Sequence, residues 1–245
     1  IGVRFRLAAS KAYSLATTDD GTALRAITYN NTTVDEWRTQ YRGDMVTFLR
    51  PYIKSDGNCG VGWITASNGN SFSSNNVKGL SFNVTNIGGC PNDTLAHELG
   101  HNFGAQHNRG NASSTIPHYP YAYGYGIDDV FSTVMSYQQP NVPYFSNPSI
   151  VGCNGNYCGI DDYTDVARAI NNVHHLYAII FTPIAPSQPS IVSTDYGDGA
   201  VYLFVSVSNN GGAIISSYGA TCTDGTTEYT GTSATSRITV SGLTN

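Results

Sequence analysis

Three histidines and one glutamate lie within eleven residues, in the stretch HELGHNFGAQH from His97 to His107. The sequence has 245 residues and six histidines, so half of its histidines lie in this stretch. Residues four apart share a face of an α-helix, and His97 and His101 can therefore present two imidazoles to one metal ion. This spacing predicts a zinc site on a helix.

A third ligand and a base are available within the same stretch. A catalytic zinc usually takes three protein ligands and keeps one position for water. His107 can be the third, because Gly104 can adopt a positive φ, end the helix and turn the chain back. Glu98 is the candidate general base, which would take a proton from the attacking water and deliver it to the leaving amine. A bare HExxH can be an ordinary amphipathic helix, but the extended spacing favours chemistry.

The extended pattern HELGHNFGAQH is similar to that of the metzincin zinc endopeptidases. STVMSY resembles the methionine turn of that family, which implies that Met135 forms an apolar floor under the imidazoles and is not a ligand. HELGHNFGAQH, CGVGWIT and YFSNPSIVGC most resemble the adamalysin or reprolysin branch and its bacterial relatives, over about residues 1–178.

The resemblance implies an α+β catalytic domain, with a twisted mixed sheet, an active-site helix and a C-terminal helical subdomain. It also implies that GVGWIT is an edge strand that pairs with an extended substrate, and that loop 136–150 walls the pocket for the side chain after the scissile bond. By the same likeness we expect a propeptide that is removed on export.

Two residues depart from the adamalysin pattern. Asn108 follows the third histidine, where the adamalysins usually have aspartate. Tyr137 lies two residues after Met135, where the astacins and serralysins carry a tyrosine that can bind zinc and stabilise the oxyanion. Two interpretations of Tyr137 follow: it approaches the metal as oxyanion stabiliser or fifth ligand, or it only packs.

The five cysteines predict a disulfide-bonded protein. Cys59 pairs most economically with Cys90, and Cys153 with Cys158, which leaves Cys222 alone. Disulfides and a charged fraction of only 12 % favour a secreted protein, and the alternative is a cytosolic enzyme with five buried thiols.

The charge distribution excludes several partners. A net charge of −5 without a run of Lys or Arg argues against nucleic-acid binding, which needs a basic face. No apolar run approaches the ~20 residues that span a bilayer. Asp161 and Asp162 could join a calcium site, although solvated loop charges explain them as well.

Residues outside the motif predict the remaining elements. IGVRFRL alternates like a strand, and TVDEWRTQYRGD predicts a helix that precedes a strand at MVTFL. CGVGWIT and GLSFNV predict two more strands, and DVARAINNVHHLYAIIF predicts the last helix of the first domain.

The proline-rich segment TPIAPSQPS places a domain boundary near residue 184. We therefore predict a catalytic domain at 1–183 and a second domain at 184–245. The second resembles an incomplete fibronectin type III module, an immunoglobulin-like sandwich in which about five of the usual seven strands fit. It could bind a matrix or cell-surface ligand, and the partner of Cys222 could lie on a strand beyond residue 245. A free cysteine in a sheet explains Cys222 equally well.

Together these features predict a secreted zinc endopeptidase that acts on polypeptides. The alternative is a zinc-containing adhesion or matrix-binding protein with little turnover. Glu98 favours catalysis, because a binding scaffold has no need of a base. A zinc hydrolase acting on another substrate would use the same ligands, but the predicted edge strand favours peptides.

Overall fold

The computed structural model describes residues 2–17, 19–29 and 31–243, and the chain divides into two compact units. The first unit takes in the residues up to 38 together with 44–180, and the second takes in 39–43 together with the residues from 181 onward.

The first unit contains the motif of three histidines. Its elements in chain order are α1 (Asp20–Thr28), α2 (Thr32–Tyr41, whose last residues belong to the second unit), β1 (Val46–Pro51), a 3-10 turn (Lys54–Asp56), β2 (Gly60–Gly62), α3 (Ser74–Leu80), β3 (Phe82–Ile87), α4 (Thr94–Asn102), β4 (Gly126–Ile127), β5 (Phe131–Ser132), β6 (Asn147–Cys153), β7 (Asn156–Cys158) and α5 (Val166–Tyr177).

A three-stranded mixed sheet supports the motif helix. Its strand order is β1-β3-β2, with β3 parallel to β1 and antiparallel to β2. Strand β3 is buried along most of its length, as expected for a central strand covered on both faces. The mixed sheet predicted from the sequence is present. The strand predicted at CGVGWIT is shorter, Gly60–Gly62, and has the edge position that the family resemblance implies.

Helix α5 contacts the C-terminal end of the motif helix through Tyr177. Asp165 caps its first turn by accepting a hydrogen bond from the Arg168 N–H at 3.0 Å. Its buried residues recur at helical spacing along one face and pack with Phe103 and Met135 in one apolar cluster. This cluster lies beneath the histidine motif.

The strand predicted at IGVRFRL is not present in residues 2–7, and residue 1 lies outside the described part. Of the alternating apolar side chains, Val3 packs against the core, whereas Phe5 is 59 % exposed and Leu7 78 %. Alternation favours a strand only when one face is buried and an edge is paired, and this segment meets neither condition.

The second unit is formed by antiparallel strands. These are β8 (Ser190–Gly197), β9 (Ala200–Ser206), β10 (Tyr218–Thr223), β11 (Glu228–Ser233) and β12 (Arg237–Ser241). They form one sheet of order β12-β9-β8 and one of order β10-β11. Buried Val and Ile side chains of β9 and β12 pack against partly buried residues of β10 and β11. The strand predicted at IISSYGATC begins only at Tyr218, because Ile214 is 79 % exposed.

The cysteine pairing is as predicted. Disulfides join Cys59 to Cys90 and Cys153 to Cys158, and Cys222 on β10 is a free thiol. Among the described residues, no helix is both long enough and apolar enough to cross a bilayer.

Candidate functional site

Helix α4 presents the first part of the motif and ends where the sequence requires a turn. Gly104 has φ +85°; its N–H donates to His101 O at 2.8 Å, and the Ala105 N–H donates to Gly100 O at 3.0 Å. This pair of bonds is a Schellman cap, in which a glycine reverses the chain after a helix. The turn brings His107 back beside the helix.

The three imidazoles converge on one point. His107 Nε2 lies 3.0 Å from His101 Nε2 and 3.1 Å from His97 Nε2. In this three-histidine cluster, one ligand atom from each residue lies within 4.8 Å of the others.

Backbone carbonyls fix the tautomer of the first two histidines. His97 Nδ1 lies 2.7 Å from Val134 O, and His101 Nδ1 lies 2.9 Å from Ala105 O. A carbonyl can only accept, so each Nδ1 carries the proton and each neutral ring directs the Nε2 lone pair into the cluster.

Burial keeps the rings neutral. It lowers the pKa of His97, and it lowers the pKa of His101 well below the usual imidazole value, with the neighbouring histidines adding to the effect. Burial and His97 lower the pKa of His107 to about 4. Neutral imidazoles are the form that binds metal ions.

The donor set fits a zinc ion. Two nitrogens bound to a tetrahedral zinc at about 2.0–2.1 Å lie about 3.3 Å apart, close to the 3.0 Å and 3.1 Å separations seen here. Nitrogen lone pairs that face one another at this distance repel, and a cation bound between them removes the repulsion. A backbone carbonyl behind the ring is also the arrangement that orients metal-binding histidines.

Glu98 is buried beside these histidines. It is 4 % exposed, and its Oε2 is a buried oxygen without a hydrogen-bond partner. Burial raises the pKa of its carboxyl well above the usual value, and the charge of Asp20 adds to this. A buried carboxylate oxygen without a partner is costly for folding, so its position calls for a functional explanation.

Two glycines of the edge strand make room for Glu98. A β-carbon at Gly60 would lie 2.6 Å from Glu98 Oε1, and one at Gly62 would lie 2.8 Å from the backbone oxygen of Glu98. Strand β2 therefore passes closer to the helix than any larger residue would allow. The sequence predicted neither contact, because both glycines lie far from Glu98 along the chain.

Met135 packs against the motif helix at Gly100. It is fully buried, and a β-carbon at Gly100 of the motif helix would overlap its Sδ. The turn that carries it is closed by the Ser136 N–H, which donates to Thr133 O at 2.7 Å. The adjacent Val134 supplies the carbonyl that orients His97.

Tyr137 approaches the three-histidine cluster. Its hydroxyl lies 2.6 Å from His107 Nε2, and its ring is stacked on His97 with centroids 5.8 Å apart. Burial and the charge of Glu98 raise the pKa of Tyr137 to about 12, so its hydroxyl is a hydrogen-bond donor near neutral pH. The side chain is still 52 % exposed.

The loop predicted at 136–150 ends at residue 146, because residues 147–150 belong to β6, and it returns beside the motif helix. The Val134 N–H donates to Tyr144 O at 2.8 Å, and Phe145 lies so close to Gly100 that a β-carbon there would be 3.0 Å from the ring. The loop thus borders the cluster on the side of Met135.

The acidic residues considered for calcium have another partner. Asp162 Oδ1 lies 2.7 Å from Arg168 Nη2, and Asp161 lies 3.9 Å from the same guanidinium. These contacts explain the carboxylates without a metal, and calcium binding remains a prediction.

Comparisons with known proteins agree with this geometry. Residues 1–164 match the family described as Metallo-peptidase family M12B Reprolysin-like. A peptidyl-Asp metalloendopeptidase from Pseudomonas aeruginosa is 31 % identical over 188 residues, covering 68 % of this chain and 30 % of that protein. The chain therefore spans less than a third of the length of this relative.

A solved structure supports the fold alone. A chain in a structure described as "Structure of a chaperone-substrate complex" has a TM-score of 0.54 and 22 % identity, covering 69 % of this chain and 26 % of that one. The family match extends over more than half of the sequence and includes the whole histidine motif. The chain therefore belongs to the reprolysin-like M12B metallopeptidase family.

Proposed function

We propose that this protein is a zinc endopeptidase in which His97, His101 and His107 bind the metal. The observation that carries the proposal is the convergence of three Nε2 atoms beside the buried, unpartnered carboxylate oxygen of Glu98. A zinc ion held there would supply Lewis acidity, lowering the pKa of water and stabilising negative charge on oxygen.

Glu98 is the proposed general base. Its Oε2 takes a proton from the water that attacks the peptide carbonyl, and it then delivers this proton to the leaving amine. The raised pKa of the carboxyl strengthens it as a base. The Gly60 and Gly62 backbone holds the carboxylate from one side, so the base is fixed before a substrate arrives.

Tyr137 is the proposed oxyanion stabiliser or additional metal ligand. Its neutral hydroxyl lies at the histidine nitrogens, where it can donate a hydrogen bond to negative charge that develops on the carbonyl oxygen. The half-exposed ring leaves room for the hydroxyl to move when a substrate binds.

Strand β2 is the proposed substrate-binding edge. It pairs with β3 on one side, and Cys59 and Trp63 bond to β3 at either end. In an antiparallel pair, residues that bond to the neighbouring strand alternate with residues that do not. The N–H and C=O groups of Gly60 and Gly62 therefore point away from β3, towards the unpaired edge of the sheet. An extended peptide can add there as a further strand, with loop 136–150 walling the pocket after the scissile bond.

We also propose that the protein is secreted and that residues 184–245 form a fibronectin type III-like module. The two disulfides support an oxidising compartment. Five antiparallel strands in two small sheets support the module, and a matrix or cell-surface ligand for it remains a prediction.

Cleavage of casein and of a peptide library, with a zinc chelator and with zinc added back, tests the proposed function. The library should include peptides that contain Asp, because the Pseudomonas relative carries the name peptidyl-Asp metalloendopeptidase. Cleavage that stops with the chelator and returns with zinc is expected. Zinc bound at one equivalent without any cleavage would favour the adhesion or matrix-binding function instead.

A further inference from the structure

Asn108, the residue after the third histidine, is hydrogen-bonded through both its backbone and its side chain. Its N–H donates to Met135 O at 3.0 Å, and its Oδ1 accepts from the Tyr137 N–H at 3.3 Å. Its Nδ2 donates to Asn111 Oδ1 at 2.9 Å. Asn108 is 6 % exposed, so its polar atoms depend on these partners more than on water.

Two of these bonds fasten the segment that carries Tyr137. Met135 and Tyr137 are two residues apart, and both backbones bond to the residue next to His107. The Tyr137 side chain is 52 % exposed, so packing holds it only in part. The place of its hydroxyl at His107 therefore depends on where the Tyr137 backbone is anchored.

We propose that Asn108 is a positioning residue that sets the Tyr137 hydroxyl beside His107 Nε2 in the three-histidine cluster. This inference rests on the proposed zinc endopeptidase function, in which that hydroxyl serves the oxyanion. Asn108 acts through the Tyr137 backbone and does not touch the substrate.

The amide of Asn108 suits this role better than a carboxylate. An amide both accepts from the Tyr137 N–H and donates to Asn111 Oδ1, and these two bonds fix its orientation. An aspartate would place an acceptor opposite the Asn111 oxygen and a charge at a buried position. Asn108→Asp should therefore turn the side chain and release the Tyr137 backbone, although its shape is nearly unchanged.

A copper-substituted protein reports the place of Tyr137 without any turnover. Copper(II) binds imidazole sites tightly, and a phenolate oxygen on copper gives a charge-transfer absorption band. We expect the band in the parent protein, its loss in Tyr137→Phe, and a clear reduction in Asn108→Asp. Asn75→Asp, an exposed asparagine on α3, is the matched control and should keep the full band.

Kinetics of the zinc form separate positioning from general disruption. Asn108→Asp should lower kcat by about tenfold with little change in KM, as for an interaction made only in the transition state. If Asn108 acts through Tyr137, the double variant should be no slower than Tyr137→Phe alone. Asn111→Ala, at an exposed position, should weaken the band in the same direction if Asn108→Asp fails to fold.

The outcomes distinguish this inference from the proposed function. A parent protein that cleaves casein but shows no copper band, a band unchanged in the variants, or losses that multiply in the double variant would each overturn the role of Asn108. Failure of the parent protein to cleave any peptide would instead overturn the proposed function, and the copper band would still report where Tyr137 lies.

Discussion

The carboxylate of Glu98 lies directly against the backbone of Gly60, where a β-carbon would come within 2.6 Å of its Oε1. Strand β2 and the proposed base are therefore in close contact. Helix α4 could not lie this close to the strand if the residue at position 60 were larger than glycine. This contact links the fold of the sheet to the chemistry of the site.

Gly60→Ala is expected to lower kcat/KM and to destabilise the protein by about 1–3 kcal/mol, as overpacking does. Gly60 has no positive φ, so the penalty comes from the overlap with Glu98 and with the β3 backbone. Peptidase assays and urea unfolding measure the two effects. Gly79→Ala on α3 is the control, because its β-carbon meets nothing within 4 Å; equal losses in both variants would refute the explanation.

Asp20→Asn should destabilise the first unit. Asp20 Oδ1 lies 3.1 Å from Arg50 Nη1, with side-chain exposures of 1 % and 7 %. Asp20→Asn removes the carboxylate charge that faces the buried Arg50 guanidinium, and loss of one partner of a buried ion pair costs about 3–5 kcal/mol. Urea unfolding measures the loss in the free energy of unfolding. Asp161→Asn is the control: this side chain and its partner are more exposed, so its free energy of unfolding should stay within about 1 kcal/mol of the parent value. Similar losses from the two variants would contradict the argument.

Removal of zinc should lower the unfolding temperature. A ligand that binds only the folded state stabilises it by about 4 kcal/mol at a thousand times its Kd. Calorimetry with and without a chelator should therefore show a zinc-dependent shift that His101→Ala abolishes. His118→Ala changes a histidine outside the cluster and should keep the zinc-dependent shift. Loss of the shift in His118→Ala would argue against zinc binding at the three-histidine cluster.

His107 should make the metal-free protein less stable as the pH falls. The pKa of His107 is lowered to about 4 by burial, whereas an exposed histidine titrates near 6.5. Between pH 4 and pH 6.5 the unfolded chain therefore binds more protons at this histidine than the folded chain does. The contribution of neutral His107 to the free energy of unfolding is complete above about pH 6.5 and is lost as the pH falls towards 4. Urea midpoints measured with a chelator across this range test the sign. His107→Gln should reduce the change of the urea midpoint with pH. An unchanged pH dependence in this variant would contradict the role of His107.

The local pattern predicted much of the site, because its parts lie close together in sequence. The helical spacing of His97 and His101 and the turn at Gly104 depend on backbone geometry over a few residues, and the structure has both. The role of Met135 was expected only from the family resemblance. The two disulfides followed from cysteine spacing.

Contacts between distant segments could not be predicted in this way. Nothing in the spacing of GVG indicates that Gly60 packs on Glu98, and nothing next to His107 indicates that Asn108 bonds to Tyr137. The alternating residues of the N-terminus predicted a strand that is absent from residues 2–7, because alternation does not say whether a sheet edge is available.

The most direct test of the account is zinc content and turnover in Glu98→Gln, beside Glu36→Gln as a control on the exposed face of α2. We expect Glu98→Gln to keep one zinc per chain while kcat falls by about 10²–10⁴-fold, the usual contribution of general acid–base catalysis, and Glu36→Gln to match the parent protein. Full turnover in a zinc-loaded Glu98→Gln protein would contradict the assignment of Glu98 as the base.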